Sequence, residues 1–339
     1  PGLPAQTFRV TFAAPRGIEF YEGNSSSDIM LGNWNPSTRT QQIDNNLVGL
    51  MLPIIRGIGF RRNGVANAGA AKKTDLTVLM SHADFNSITN TFASNYKDQP
   101  VTVFTRKTVN LPDWNTLPPQ SPPPFDVILP FDTPFIYNRH DALLWDVLND
   151  NNPQGTYSQD WVSGTPTHNY GPYPTDLGPG CITPGGIFEH RCALRADAST
   201  LQLGFRVQGA PSGAAVIVML GLSDPGIALP GLCTTLRCSP LLFLTLAAAS
   251  SIGHINPTFL VSTPYSPTFV GASIVTQALA ADPAQPGFPL VLSNGLRSPI
   301  PLAPGPGQID VKRIYNTSST TSPTGTGPAL SAVPALYAF

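Results

Sequence analysis

The chain has 339 residues, 41% of them hydrophobic and 12% charged, with a formal net charge of −1. That hydrophobic share, seventeen Phe and a near-zero charge exclude a disordered chain. With no basic cluster larger than Arg61-Arg62 or Lys72-Lys73, nucleic-acid binding is excluded too. There are seventeen Asp against three Glu, and fourteen Arg against five Lys. Glu and Lys are the usual solvent-facing helix residues, so few surface helices are expected. The 37 Pro and 30 Gly point instead to short strands joined by turns.

The first strand is predicted in TFRVTFA (7–13), where Phe8, Val10 and Phe12 alternate with polar neighbours. IEFY (18–21) follows, then a polar loop around Asn24. LVGLMLPIIRGIGFRR (47–62) reads as a buried strand bent at Gly57 or Gly59. DLTVLMSHA (75–83) and PVTVFTRKTV (100–109) alternate cleanly, with FNSITNTFASNY between them as a crossing loop. The proline-rich segment 110–124 contains a formal P-x-x-P at Pro119–Pro122, but no basic residue flanks it. It is read as an extended polyproline connection across the outside of one domain, rather than a linker or a ligand for a proline-binding module. FDVILPF (125–131) and ALLWDVL (142–148) are further strands, and 149–190 is rich in loops.

In the second half, TLQLGFRVQ (200–208), GAPSG and AAVIVMLGL (214–222) are predicted to form a hairpin. PLLFLTLAA, PTFLVST (257–263) and FVGASIVTQALA (269–280) follow as strands. Asn294-Gly295 between apolar flanks signals another tight hairpin turn. The most apolar window, 240–253, is too short to span a bilayer. The chain starts at Pro1 without a leader, as expected of an exported chain already processed. Residues 301–328 are Pro, Gly, Ser and Thr rich, and ALSAVPALYAF closes the chain. The tail is expected to pack on something.

Cys181, Cys192, Cys233 and Cys238 are separated locally by ten and by four residues, which matches no standard zinc pattern. Local disulfides 181–192 and 233–238 are the favoured pairing among three connectivities. With Asn24-Ser25-Ser26 and Asn316-Thr317-Ser318 as glycan acceptors, the cysteines point to an extracellular chain.

Catalytic patterns are missing. There is no G-x-S-x-G elbow, no H-E-x-x-H and no phosphate loop. His140-Asp141 are adjacent, so on a strand they would face opposite ways. No enzyme is expected. Asp150-Asn-Asn152-Pro-Gln-Gly155 echoes the first half of a calcium loop, with Asp146 and Asp160 as further oxygen donors. A metal-free Asx turn is the stronger reading of that stretch. Tyr157, Trp161, Tyr170 and Tyr173 form a loop cluster whose rings would either stack on sugars or a partner, or roof a sandwich.

The series GAPSGAAVIVMLGLSDPGIALPGLC, FLVSTPYSPTFVGASIVTQALAADP and FPLVLSNGLRSPIP resembles the carboxy-terminal β-domain of secreted surface proteins from planctomycete-like bacteria. TFASNY (91–96), VTVFTRKTVNLPDW and PFDVILPFDTPFIY are similar to their amino-terminal part. The resemblance implies architecture and export, not an activity.

The expected fold is all-β with two β-sandwich domains. These are a jelly-roll-like one with long loops over 1–180 and an immunoglobulin-like one over 181–300, followed by an extended tail over 301–339. The expected function is an extracellular or cell-surface structural subunit that polymerises with copies of itself into a filament or layer, by strand or tail exchange. The segments offered for exchange are Phe8, Val10 and Phe12 at one end and Leu330, Val333, Leu336, Tyr337 and Phe339 at the other. One alternative is a carbohydrate-binding adhesin acting on cell-surface or environmental polysaccharide through residues 157–173, with calcium as its only candidate cofactor. Another is a viral jelly-roll coat protein. Neither nucleic acid nor a membrane span enters any of these readings.

Overall fold

The computed structural model describes residues 11–32, 35–49, 54–64, 69–118, 120–152, 155–164, 168–285, 288–302, 307 and 309–339. They are all-β and β-sandwich-like. Among the described residues the only helical elements are 3-10 turns of three or four residues. The chain divides into two units, one of Pro1–Thr165 with Ile309–Phe339 and one of Pro166–Gln308. The sequence reading placed the division near residue 180 and set 301–339 apart as a tail; here Ile309–Phe339 falls in the first unit and the residues before it in the second.

In the first unit an antiparallel eight-stranded sheet runs Ser25–Ser27, Gln159–Ser163, Thr326–Ala332, Val311–Asn316, Thr38–Asp44, Ala142–Asp150, Lys72–Ala83 and Val101–Leu111. A four-stranded sheet, ordered Thr11–Ala14, Ala335–Ala338, Ile54–Phe60 and Val127–Ile136, faces it. The period-two pattern explains the pairing. Leu76, Val78 and Met80 are buried on one face of their strand while Asp75, Thr77 and Leu79 are half-buried on the other. Between the sheets Phe60 meets Trp145 edge-on at 5.6 Å, and the Trp145 indole donates to Tyr337 Oη at 3.1 Å. Tyr337 Oη in turn donates to Asp44 Oδ2 at 3.1 Å.

The tail is therefore not a free strand. Ala335–Ala338 is inserted between Thr11–Ala14 and Ile54–Phe60 of its own chain. Val333 and Tyr337 are buried, Leu336 packs on the core, and Phe339 meets Phe12 edge-on at 5.8 Å. Leu330 alone of the five tail residues is strongly exposed. Phe8 and Val10 lie outside the described residues.

The proline-rich connection is pinned to the same unit. The Arg62 guanidinium donates to the carbonyls of Trp114, Leu117 and Pro118. Trp114 is buried, stacks on Tyr157 at 3.9 Å and donates its Nε1 proton to Asp126 at 2.9 Å. Pro119, the first proline of the P-x-x-P, lies outside the described residues.

The second unit stacks two sheets around a single apolar cluster that includes Phe188, Leu203, Phe205, Val216, Val218 and Val291. One sheet is ordered Asn169–Tyr170, Glu189–Ala196, Thr200–Gln208, Ile255–Pro264; the other Thr175–Gly178, Leu290–Pro299, Ser273–Ala281, Ala215–Gly221, Leu242–Ala248. Two turn expectations change here. The strands at 200–208 and 215–221 are not a hairpin: they pair within different sheets, and GAPSG carries the chain across. Gly209 and Gly213 adopt φ of 66° and 70°, turning the chain out of one sheet and into the other. Asn294-Gly295 is not a turn either, but lies inside Leu290–Pro299. Asn294 Oδ1 accepts the His190 backbone N–H at 2.8 Å, and a Cβ on Gly295 would come within 2.3 Å of Arg237 Cβ. The pair is selected by close packing across the sheet, not by chain reversal.

Tyr337→Phe leaves Asp44 and Trp145 each one hydrogen-bond partner short in a dry interior. We expect the first unit to lose about 1–3 kcal/mol while the second is unchanged. Calorimetry with the two transitions resolved checks this.

Candidate functional site

The four oxygen donors proposed for calcium do not converge. Asp146 is buried and takes the Arg39 guanidinium through both oxygens, at 2.7 and 3.1 Å, together with Gln41 and the Tyr96 hydroxyl. Asp160 is buried against Arg61, and burial raises its pKa despite that cation. Asp150 accepts from Thr320 Oγ1 at 2.9 Å, and Asn152 Oδ1 from Lys72 Nζ at 3.0 Å. Each donor is committed to a different partner. Among the described residues no group of three or more His, Cys, Asp or Glu is placed to hold a metal ion.

The loop aromatics do not form a platform. Tyr157 is buried under Trp114 and donates to the Pro112 carbonyl at 2.8 Å. Trp161 lies over the Arg313 guanidinium, 4.2 Å from ring centroid to Cζ. Tyr170 is buried in the second unit, accepting from Arg195 at 3.4 Å, and Tyr173 there is half-buried. Two of the rings that were to stack on sugar serve instead as core. Asn24 is exposed and pairs with the Ser163 main chain in both directions, at 2.7 and 2.9 Å. Asn316 closes an Asx turn on Ser318 and Ser319.

The cysteine pairing differs from the local one. Cys181 and Cys233 form the disulfide, while Cys192 and Cys238 are buried thiols. Strand geometry decides this. Cys192 points into the core from Glu189–Ala196, and burial pushes its thiol up to about 11. Cys181 instead hydrogen-bonds along Leu292 in the other sheet. The bond ties the 222–241 connection to the body across 52 residues, a closure of roughly 4 kcal/mol on the chain-entropy account.

One contact that spacing could not reveal is His190 with Ser293, Nδ1 to Oγ at 2.9 Å. It has the look of a nucleophile and its base, but the proton runs the wrong way for that role. Ser293 donates to the Asn294 carbonyl and accepts from Ala278 N–H, so the imidazole Nδ1 is the donor and its Nε2 faces Thr276 Oγ1 at 2.8 Å. Both residues are fully buried. The network is structural. His140, exposed, and Asp141, held by Lys97 at 2.6 Å, make no pair.

The remaining surface feature is a sheet edge. Open edges are normally blunted by shortness, charge, proline or bulges. Ser25–Ser27, Asn169–Tyr170 and Thr175–Gly178 are short. Val101–Leu111 carries Arg106 and Lys107, and the Asp132 side chain accepts its Thr105 N–H at 2.8 Å. Val127–Ile136 contains two prolines, and Ile255–Pro264 two more plus two bulges. Leu242–Ala248 has one irregularity of register, between Thr245 and Ala248, but carries neither a charge nor a proline and is seven residues long. It pairs with Ala215–Gly221 on one side and, among the described residues, with no strand on the other. Residues 238–253 contain no charge. Leu246 turns inward, but Leu241 is 73% exposed and Phe243 57%, and Leu222, Ile227 and Leu229 on the preceding connection are exposed as well. This is an apolar edge strand, guarded by neither charge nor proline, that pairs with no further strand among the described residues.

No family model, curated protein or solved structure matches the chain. No helix among the described residues is long and apolar enough to cross a membrane.

Burial lowers His190 to about 4, against the raising effect of its Asn294 hydrogen bond. A base depressed on folding stabilises the fold above its unfolded pKa of about 6.5, and that contribution is lost as pH falls toward 4. The second unit should lose roughly 3 kcal/mol between pH 7 and 4, with His168 and His254, also lowered by burial, adding to it and Asp176, raised by burial, opposing it. Asp44 and Asp126 are pushed by burial to about 6, so the first unit should gain stability as pH falls from 6 to 4. Calorimetric scans across pH check both directions, and His190→Gln should flatten only the second unit's response.

Proposed function

We propose that the protein is an extracellular structural subunit, without catalytic activity, that assembles with copies of itself by strand addition at Leu242–Ala248. The observation carrying this reading is the contrast between that edge and the other edges described above: among those of seven residues or more it alone carries neither a charge nor a proline. Strand addition satisfies its free N–H and C=O groups and buries Phe243 and Leu241, each worth roughly 1.5–3 kcal/mol when fully covered. An antiparallel pairing of two such edges is two-fold and closes a dimer; growth into a layer or filament needs a second contact. The disulfide supports an oxidising compartment, and so does the resemblance to secreted β-domains. Exchange of the C-terminal strand is less favoured than in the sequence reading, because that strand already fills a slot in its own unit.

Phe243→Lys with Thr245→Lys should weaken self-association at least tenfold in sedimentation equilibrium while both thermal transitions stay in place. Thr102→Lys, on the charged edge of the first unit, should leave association unchanged. A wild-type chain that stays monomeric at high concentration, or equal assembly by the double variant, defeats the proposal.

A further inference from the structure

Arg313 is 1% exposed inside the first unit, on Val311–Asn316. Its guanidinium is held between aromatic faces, Trp161 at 4.2 Å and Tyr315 at 5.0 Å. Its Nη1 donates to Ser27 Oγ at 3.2 Å. Nε and Nη2 have no hydrogen-bond partner, and no carboxylate pairs with the residue. This is the only buried arginine of the unit so placed among the described residues: Arg61 has Asp160, and Arg62 has three carbonyls.

The unpaired atoms are not a random pair. Nε and Nη2 form one edge of the guanidinium fork, the edge that meets a carboxylate, phosphate or sulfate side-on with two parallel hydrogen bonds. Further unpartnered polar atoms share this face. The Trp161 Nε1 proton and Ser331 Oγ are buried without partners, as is Gln159 Oε1, whose amide is oriented by the Nε2 hydrogen bond to the Tyr157 carbonyl. Strand register places them together. Gln159 is opposite Ser27 and Trp161 opposite Ser25, while Ser331 is opposite Ser163, two residues beyond Trp161. A water molecule would satisfy hydrogen bonds here but would leave the charge uncompensated, at a cost of several kcal/mol. An anion answers both requirements. Even with its pKa lowered to about 10 by burial, the guanidinium stays charged at neutral pH.

We propose that the Nε–Nη2 edge of Arg313, with Trp161 Nε1 and Ser331 Oγ beside it, binds a small oxyanion. Trp161 and Tyr315, both half-buried, form the rim through which it enters. The stacked rings hold the guanidinium plane fixed, so little ordering is needed on binding. Phosphate, sulfate and a small carboxylate share the required chemistry.

The test uses the full chain at fixed ionic strength, titrated separately with sodium phosphate, sulfate and acetate against sodium chloride. The readouts are the first unit's thermal midpoint and the Trp fluorescence. At one hundred times the dissociation constant, the preferred oxyanion should raise the first unit's midpoint by roughly 5–10 °C and leave the second unit's in place. Arg313→Met should abolish the rise, and Trp161→Phe, which keeps the guanidinium, should raise the dissociation constant several-fold. If Arg313→Met fails to fold, the Trp161→Phe titration decides alone. Equal midpoints in all four salts overturn the proposal. So does a rise of the same size in both units, which marks a general salt effect, or a rise that survives in Arg313→Met or is undiminished in Trp161→Phe.

Discussion

The first unit depends on one strand placement. Ala335–Ala338 lies between Thr11–Ala14 and Ile54–Phe60, so the centre of the four-stranded sheet is made by residues from opposite ends of the chain. Every rung of that ladder spans more than 270 residues, and closure must be reached against the full loop entropy of the intervening chain. Its reward is the Trp145–Tyr337–Asp44 chain of hydrogen bonds between the sheets, buried throughout. The same return path threads Val311–Asn316 and Thr326–Ala332 into the eight-stranded sheet, which carries Arg313 into the interior.

That interior is unusually polar for a sandwich. Arg61–Asp160 and Arg39–Asp146 are both held in or near a dry environment. Buried ion pairs repay their desolvation poorly, so they are better understood as register pins than as sources of stability. Arg39 and Asp146 lie on neighbouring strands, and Gln41 on the first of them also donates to Asp146, so a one-residue slip would strand the carboxylate on the wrong face. Arg62 does the same for the proline-rich connection. Prolines donate no hydrogen bond, and the free carbonyls of that segment are satisfied by a guanidinium instead of a ladder.

The second unit solves the edge problem unevenly. Shortness and proline guard three of its edges, and the fourth, bulged but free of charge and proline, is an apolar row next to a connection stapled by the disulfide. The staple fixes the 222–241 connection beside that row, so exposed Leu222, Ile227 and Leu229 are presented on a constrained segment. Constraint of that kind lowers the ordering cost of association.

Much of this was legible in the amino-acid order. Scarce Glu and Lys, abundant Pro and Gly, and alternating runs such as DLTVLMSHA dictate strands, because period-two burial is a local property. The bend at Gly57 and the crossing loop at 85–96 follow from the same local rules. Partners were not legible. Asn294-Gly295 carries the local chemistry of a turn, yet a buried His190 amide and the approach of Arg237 hold it straight. GAPSG turns as expected but joins different sheets, since which strand lies alongside is decided by where apolar faces meet. Cys181 has only ten residues between it and Cys192 in the chain and bonds Cys233, because sheet stacking places those two together. Tyr157 and Tyr170 look like loop aromatics and are core. Composition and periodicity thus settled the kind of element, each being a sum over near neighbours. The pairing of elements, the burial of Arg313 and the bareness of one edge came only with tertiary packing, where contacts hundreds of residues apart compete for the same space.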